Sequence, residues 1–144
     1  MAHKVTLPLS DEWTIEQEII IEDGEEVVSF YAYPKDEDGS LAGASIELYV
    51  GETPDESDAK IECINSYMET IGLDEGETEI PVKEMPFVGG QGWYYDAQDE
   101  KGAPVVLVCS EPAPGTLVMA ILAHRDEECL DELISMVDEN LSVD

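Results

Sequence analysis

Cysteine and histidine are the side chains best suited to catalysis or metal binding, and this chain of 144 residues has three cysteines and two histidines. His124 and Cys129 lie close in sequence, and Cys109 is a third candidate. If the apolar runs at 105–109 and 117–123 pair as strands, Cys109 lies roughly 20 Å from His124 at ~3.4 Å per residue. We therefore predict that all three cysteines are buried structural residues, with no disulfide framework, catalytic dyad, metal site or cofactor.

Carboxylates are so numerous that no single pair indicates a reaction. General acid–base catalysis needs a carboxyl group whose pKa is raised in an apolar pocket, and the 35 acidic residues are spread along the chain. Residues 36–39 (Asp-Glu-Asp-Gly) resemble part of a calcium loop, but the ligand positions of an EF-hand are incomplete. We interpret them as a solvated turn. No catalytic motif is present, so we predict that the protein is not an enzyme.

A glycine-rich segment leads into an aromatic one. Residues 89–92 (Gly-Gly-Gln-Gly) precede a predicted strand, whereas phosphate-binding loops precede a helix N-terminus. The neighbouring Phe87, Trp93, Tyr94 and Tyr95 form the candidate binding site, because tyrosine and tryptophan give a recognition surface large, rigid contact areas. The competing interpretation is that they pack in the core.

The net charge of −29, from six Lys and Arg against 35 Asp and Glu, limits the choice of partners. Such a field repels phosphate groups, so we expect no nucleic acid and no anionic membrane as partner. Three explanations remain: a generally acidic proteome, an acidic face that docks a basic protein, or weak binding of divalent cations. The chain has no run of about 20 apolar residues, the length that a membrane-spanning helix needs, so we expect no membrane insertion. Without a signal peptide or lipobox we expect a cytoplasmic protein, although a leader could have been removed.

Hydrophobic periodicity predicts one domain, residues 1–144, with the order β-β-β-α-β-β-β-α and a short additional strand at about 80–84. Hairpin-length connections favour an antiparallel sheet. The strands at 105–110 and 117–123 are apolar on both faces and should be central. The fold class is α+β, a twisted antiparallel sheet of about six or seven strands with helices packed on its faces. The other strands are predicted at 13–22, 27–33, 44–50 and 93–98.

Several local patterns carry more detailed predictions. In the first strand Trp13, Ile15, Gln17, Ile19 and Ile21 share one face, which is typical of a half-buried strand. A turn follows at 23–24 (Asp-Gly), and residues 86–90 are predicted to form a loop. Two helices are predicted as well. The first is capped by Thr53 and buries Ile61, Ile64, Met68 and Ile71. The second is capped by Asp126 and buries Leu130, Leu133, Ile134, Val137 and Leu141.

Taken together, these patterns resemble the Mog1/PsbP-like superfamily, in particular its small bacterial members without assigned activity. The shared features are the entry Leu7-Pro8 followed by Trp13, the helix at 53–71, the glycine-rich step into the aromatic strand at 89–95, and the closing helix. Members of that superfamily bind Ran GTPase or join photosystem II. The resemblance therefore implies a non-enzymatic binding or accessory protein.

These observations lead to one expected function and two alternatives. We expect a non-enzymatic accessory or protein-binding domain, whose partner could be a basic protein. The first alternative is an acidic immunity or inhibitor protein that neutralises a basic partner, for which acidic residues should surround aromatic ones on one face. The second is a small ligand-binding domain or hydrolase, which requires a pocket with convergent polar groups. The sequence carries no prediction of the oligomeric state.

Overall fold

The computed structural model describes residues 5–9, 11–22, 24–35, 43–53, 55–70, 82–98, 104–113, 115–124 and 127–143. Within these ranges the chain forms nine strands and two helices. A two-stranded ladder joins the first and last strands, near the two ends of the chain, and the other seven strands form one sheet. The elements are β1 (Val5–Thr6), β2 (Trp13–Glu22), β3 (Glu25–Pro34), β4 (Ser45–Glu52), α1 (Ala59–Thr70), β5 (Lys83–Phe87), β6 (Gly90–Gln98), β7 (Pro104–Ala113), β8 (Thr116–Ala123), α2 (Glu127–Asn140) and β9 (Ser142–Val143).

The main sheet has the order β2-β3-β4-β8-β7-β6-β5, and every pairing in it is antiparallel. The predicted antiparallel α+β fold is therefore confirmed, as is the central position of β7 and β8. Helix α1 packs on one face, against β6 and β7, and α2 packs on the opposite face, against β7 and β8. The two strands that are apolar on both faces thus lie between two helices, because only there are both faces shielded from water.

Helix α2 covers the larger core, and its predicted apolar stripe is confirmed. Leu130, Leu133, Val137 and Leu141 are buried, and Ile134 is half-buried against the same cluster. They pack with the alternate side chains of the sheet that face α2, among them Ile46, Leu48, Val50, Val106, Val108, Val118, Ala120 and Leu122. Asp126, the predicted cap, lies outside the described residues.

The prediction for α1 is wrong in its start and in its buried face. Thr53 donates its backbone N–H to the carbonyl of Gly115 at 2.8 Å, so it continues the strand ladder. The helix begins at Ala59, where the Asp58 carboxylate caps it by accepting the N–H of Ile61 at 2.9 Å. Ile61 and Met68, predicted to be buried, are 40% and 43% exposed.

The side of α1 that meets the sheet consists of Ala59, Cys63 and Tyr67, all buried. These residues repeat at a spacing of four and lie nearly opposite Ile61 and Met68 around the helix. Small side chains at 59 and 63 let the helix backbone approach the sheet closely. Isoleucine at these positions would hold the helix farther from the sheet. Ile64 is half-buried, and Ile71 lies outside the described residues.

Tight two-residue turns close two of the hairpins. The pairing of Glu22 with Glu25 confirms the turn predicted at 23–24, and Gly24 has φ 83°. The loop predicted at 86–90 is wrong, because Phe87 pairs with Gly90 and the turn is only Val88-Gly89, with φ 55° and 79°. Positive φ at both positions is the geometry that matches the twist of the strands. Valine rarely adopts it, so the sequence does not reveal this turn.

Glu56 also has a positive φ, of 62°, and its side chain is exposed. A left-handed conformation costs an ordinary residue roughly 1 kcal/mol, which asparagine largely avoids. We expect Glu56→Asn to raise the free energy of unfolding by roughly 0.5–1 kcal/mol in urea denaturation. Asp55→Asn, which removes the same charge from the neighbouring exposed residue, is the control and should change stability by less. Equal effects of the two substitutions would show that charge, and not backbone strain, is responsible.

Candidate functional site

Two of the four aromatic residues nominated as a binding site lie inside the protein. Phe87 is fully buried in the core under α2, and Tyr95 is buried between α1 and the sheet. The hydroxyl of Tyr95 is 2.9 Å from that of Ser66, and its ring meets that of Tyr67 edge to face at 5.3 Å. Phe87 and Tyr95 are therefore core residues, since strand pairing turns both of them under a helix.

The other two nominated residues are half-buried and lie on opposite faces of β6. Trp93 packs beside α1, where the Lys60 ammonium group is 4.9 Å from the centre of its ring. Tyr94 packs at the margin of the core under α2. Because they face opposite ways, these two side chains do not form one surface. A binding role for either of them stays a prediction.

The glycines beside these aromatics permit close approach of neighbouring strands. A Cβ atom on Gly92 would lie 2.5 Å from the carbonyl oxygen of Met85, and one on Gly90 would overlap the carbonyl of Glu111. Strands β5 and β7 thus leave no room for a side chain on β6 at these points. This role accounts for the glycine-rich segment without a bound phosphate.

Cys63 and Cys109 are both fully buried and form a hydrogen-bonded thiol pair between α1 and β7. The hydrogen bond that the Cys109 thiol donates to Cys63 raises the pKa of Cys109, and the burial of Cys109 adds to the effect. The prediction that all three cysteines are buried is wrong for Cys129, which is only partly buried. Cys109 pairs with Met119, five positions before His124, so the structure does not bring Cys109 and His124 together. Among the described residues, no group of three or more His, Cys, Asp or Glu is placed to hold a metal ion.

These positions predict unequal thiol reactivity. Thiolates, and not thiols, attack disulfide reagents, so a buried thiol with a raised pKa should react slowly. We expect a chromogenic disulfide reagent to modify Cys129 in the native protein, and Cys109 only after denaturation. The hydrogen bond with Cys109 lowers the pKa of Cys63, but Cys63 should also react only after denaturation, because it is fully buried. In the Cys129→Ser variant, the rapid reaction of the native protein with the reagent should be absent. Rapid native modification of Cys109 would contradict its placement in the core.

One open groove lies beside the start of α2. Its volume is about 640 Å³, and it is lined by Asp96, Ala97, Gln98, Pro104, Val105, Val106, Leu130 and Asp131. The two carboxylates are exposed to solvent, and none of the lining residues that the structure describes is a histidine, cysteine, serine or lysine. Among its described lining residues the groove thus has neither a buried acid nor a thiol, hydroxyl or amine nucleophile.

The outer edge strand β2 presents large apolar side chains to solvent. Ile15, Ile19 and Ile21 are 44%, 58% and 66% exposed, and we call these three residues the isoleucine stripe. They lie on the α2 side of the sheet, because Ile15 and Ile19 pair with the buried Ala32 and Val28 of β3. The predicted strand is confirmed, but its apolar face lies beyond the cover that α2 gives to the inner strands. The alternation of apolar and polar residues predicts a strand, but it does not predict whether the strand lies at the edge of the sheet.

The backbone of β2 also has hydrogen-bonding groups that no described strand uses. The N–H of Lys35 donates to the carbonyl of Glu12 at 2.7 Å, which makes these two residues a hydrogen-bonded pair at the end of the β2–β3 ladder. Pairing then alternates without a shift along both strands. The N–H and C=O groups of residues 15, 17, 19 and 21 therefore point away from β3. No described strand pairs with them.

The two edges of the sheet are built differently. At the opposite edge, β5 is five residues long and contains Lys83 and Pro86, which are features that discourage pairing with another strand. Strand β2 is ten residues long and has neither lysine nor proline. Of the two described edges, that of β2 thus has fewer features that oppose pairing with a further strand.

The face of β2 opposite the isoleucine stripe is acidic. Glu16 and Glu18 are exposed there, and Glu16 pairs with Tyr31, which in turn pairs with Glu47. Partial burial raises the pKa of Tyr31, and the negative charges of Glu47 and Glu16 add to the effect, as does Tyr33, whose ring centre is 5.4 Å away. We call Glu16, Glu18, Tyr31, Tyr33 and Glu47 the tyrosine–glutamate face. Its local field favours cations.

Comparisons with known proteins add no relative to this description: no family model, no curated protein and no solved structure matches the chain. Within the described ranges, neither helix has the length and apolar character needed to cross a membrane.

Proposed function

We propose that this chain is a non-enzymatic accessory domain that binds another protein at the free edge of β2. The observation that carries the proposal is the isoleucine stripe, exposed on a strand whose outward backbone groups have no described partner. Exposed apolar side chains beside an unpaired edge favour association, because contact buries apolar surface and satisfies hydrogen bonds together. The resemblance to Mog1/PsbP-like proteins, which act as binding or accessory proteins, supports the same conclusion.

The test is affinity capture from a lysate of the organism that makes the protein, with matched variants. The double variant Ile19→Thr/Ile21→Thr keeps β propensity but removes most of the apolar contact. The control, Ile61→Gln/Met68→Gln, removes similarly exposed apolar groups from the outer side of α1. We expect the first variant to lose a protein that the wild type and the control retain. Loss in the control alone would place the binding surface on α1 and overturn the proposal.

The second candidate is an acidic inhibitor or immunity protein that neutralises a basic partner. The tyrosine–glutamate face favours it, because aromatic rings lie there among carboxylates at the same edge of the sheet. Charge-driven docking speeds association and weakens as salt rises. Capture at low salt that is lost at high salt, and lost also in Glu16→Gln/Glu18→Gln, would support this candidate. Capture that persists at high salt would favour the apolar contact.

A further inference from the structure

The chemistry of the partner segment can be read from the two faces of β2, on the basis of the function proposed above. We propose that the free edge of β2 accepts one extended segment of a partner protein as an eighth strand, and that this segment alternates aliphatic with basic side chains. The first step of the argument concerns the backbone. Residues 15, 17, 19 and 21 present N–H and C=O groups at the spacing that an added β-strand uses.

The side chains of the added strand would extend the two faces of the sheet. On the α2 side they lie beside the isoleucine stripe, where aliphatic groups bury the most apolar surface. On the other side they lie beside Glu16 and Glu18, with Glu47 farther along the same face. Opposite charges across neighbouring strands stabilise pairing, and like charges destabilise it. Lysine or arginine is therefore the residue that this side accepts.

A second copy of this chain fits the edge poorly. Antiparallel pairing of two β2 strands about residue 17 would set Glu16 of each copy opposite Glu18 of the other. Each copy also carries a net charge of −29, so long-range repulsion adds to the local one. A basic segment reverses both effects.

The test uses a short synthetic peptide that alternates valine with lysine and is long enough to lie along residues 15–21. Hydrogen exchange of the protein is measured by NMR with and without the peptide. We expect the amides of Ile15, Gln17, Ile19 and Ile21 to become protected, since these are the ones that point outward. A scrambled peptide of the same composition controls for simple attraction to an acidic protein and should protect none of them.

Gln17→Pro is the matched variant, because the N–H that it removes points outward and makes no bond to β3. Proline is tolerated at such edge positions. We expect the variant to keep its thermal unfolding temperature within a few degrees and to bind the alternating peptide about tenfold more weakly, the effect of about one lost hydrogen bond. Unchanged affinity would overturn strand addition at this edge.

The remaining outcomes separate this inference from the proposed function. If the peptide protects no outward amide up to roughly millimolar concentration, while Ile19→Thr/Ile21→Thr still abolishes protein capture, the edge binds a partner by another mode and the inference is wrong. If Gln17→Pro leaves peptide binding unchanged and Ile19→Thr/Ile21→Thr leaves protein capture unchanged, both the inference and the proposed function are wrong. Protection of the four amides without peptide, rising with protein concentration, would show that a second copy occupies the edge, which also overturns the inference.

Discussion

Gly90→Ala should destabilise the protein more than a Gly→Ala substitution at any other described glycine. The new Cβ would lie 2.9 Å from the Cα of Pro112 and closer still to the carbonyl of Glu111. Both obstacles are backbone atoms, so strands β6 and β7 would have to separate. We expect the free energy of unfolding to fall by about 3 kcal/mol or more in urea denaturation.

Gly51→Ala is the control for this substitution. Its Cβ would meet the side chain of Val27 at 3.3 Å, and a side chain can move by the few tenths of an ångström required. We expect a change within about 1 kcal/mol. If Gly90→Ala is as mild as Gly51→Ala, β6 and β7 do not approach each other as closely as the structure has them.

Removal of the Tyr95 ring should have the second large effect. Among the residues that the structure describes, Tyr95 is the largest fully buried side chain, and it joins β6 to α1 through Ser66 and Tyr67. We expect Tyr95→Ala to lower the free energy of unfolding by about 4 kcal/mol, because it leaves a cavity under the helix. Denaturation followed by circular dichroism measures the loss.

Tyr95→Phe separates packing from hydrogen bonding. It keeps the ring and removes only the hydroxyl that lies 2.9 Å from Ser66 Oγ, so a loss of about 1 kcal/mol is expected. A small effect of Tyr95→Ala, similar to that of Tyr95→Phe, would contradict the burial of this residue and would return it to the candidates for a surface role.

The sheet was predictable because its signals are local. Alternation identified β2, apolar runs identified β7 and β8 as central strands, and helical periodicity identified the buried side of α2. Helix α1 shows the limit of such signals. Its isoleucines repeat at helical spacing, yet Ala59, Cys63 and Tyr67 face the sheet, because close approach of the helix to β6 and β7 favours small residues.

The candidate site was less predictable, because it depends on the order of strands. A run of Trp-Tyr-Tyr suggests recognition, yet Tyr95 is placed under α1 by the pairing of β6 with β7. Exposure of the isoleucine stripe depends on β2 being outermost and beyond the reach of α2, and the residues of β2 alone do not encode either fact. The available signals were a ten-residue strand free of lysine and proline, and glutamates alternating with isoleucines.

Site-specific photocrosslinking tests the central claim, protein binding at the free edge of β2, most directly. A photoreactive phenylalanine derivative replaces exposed Gln17, which lies between Ile15 and Ile19, or exposed Asn65 on α1 as the matched control. The account predicts a discrete adduct with a second protein from position 17 and none from position 65. Adducts from position 65 alone, or none from either position, would contradict it.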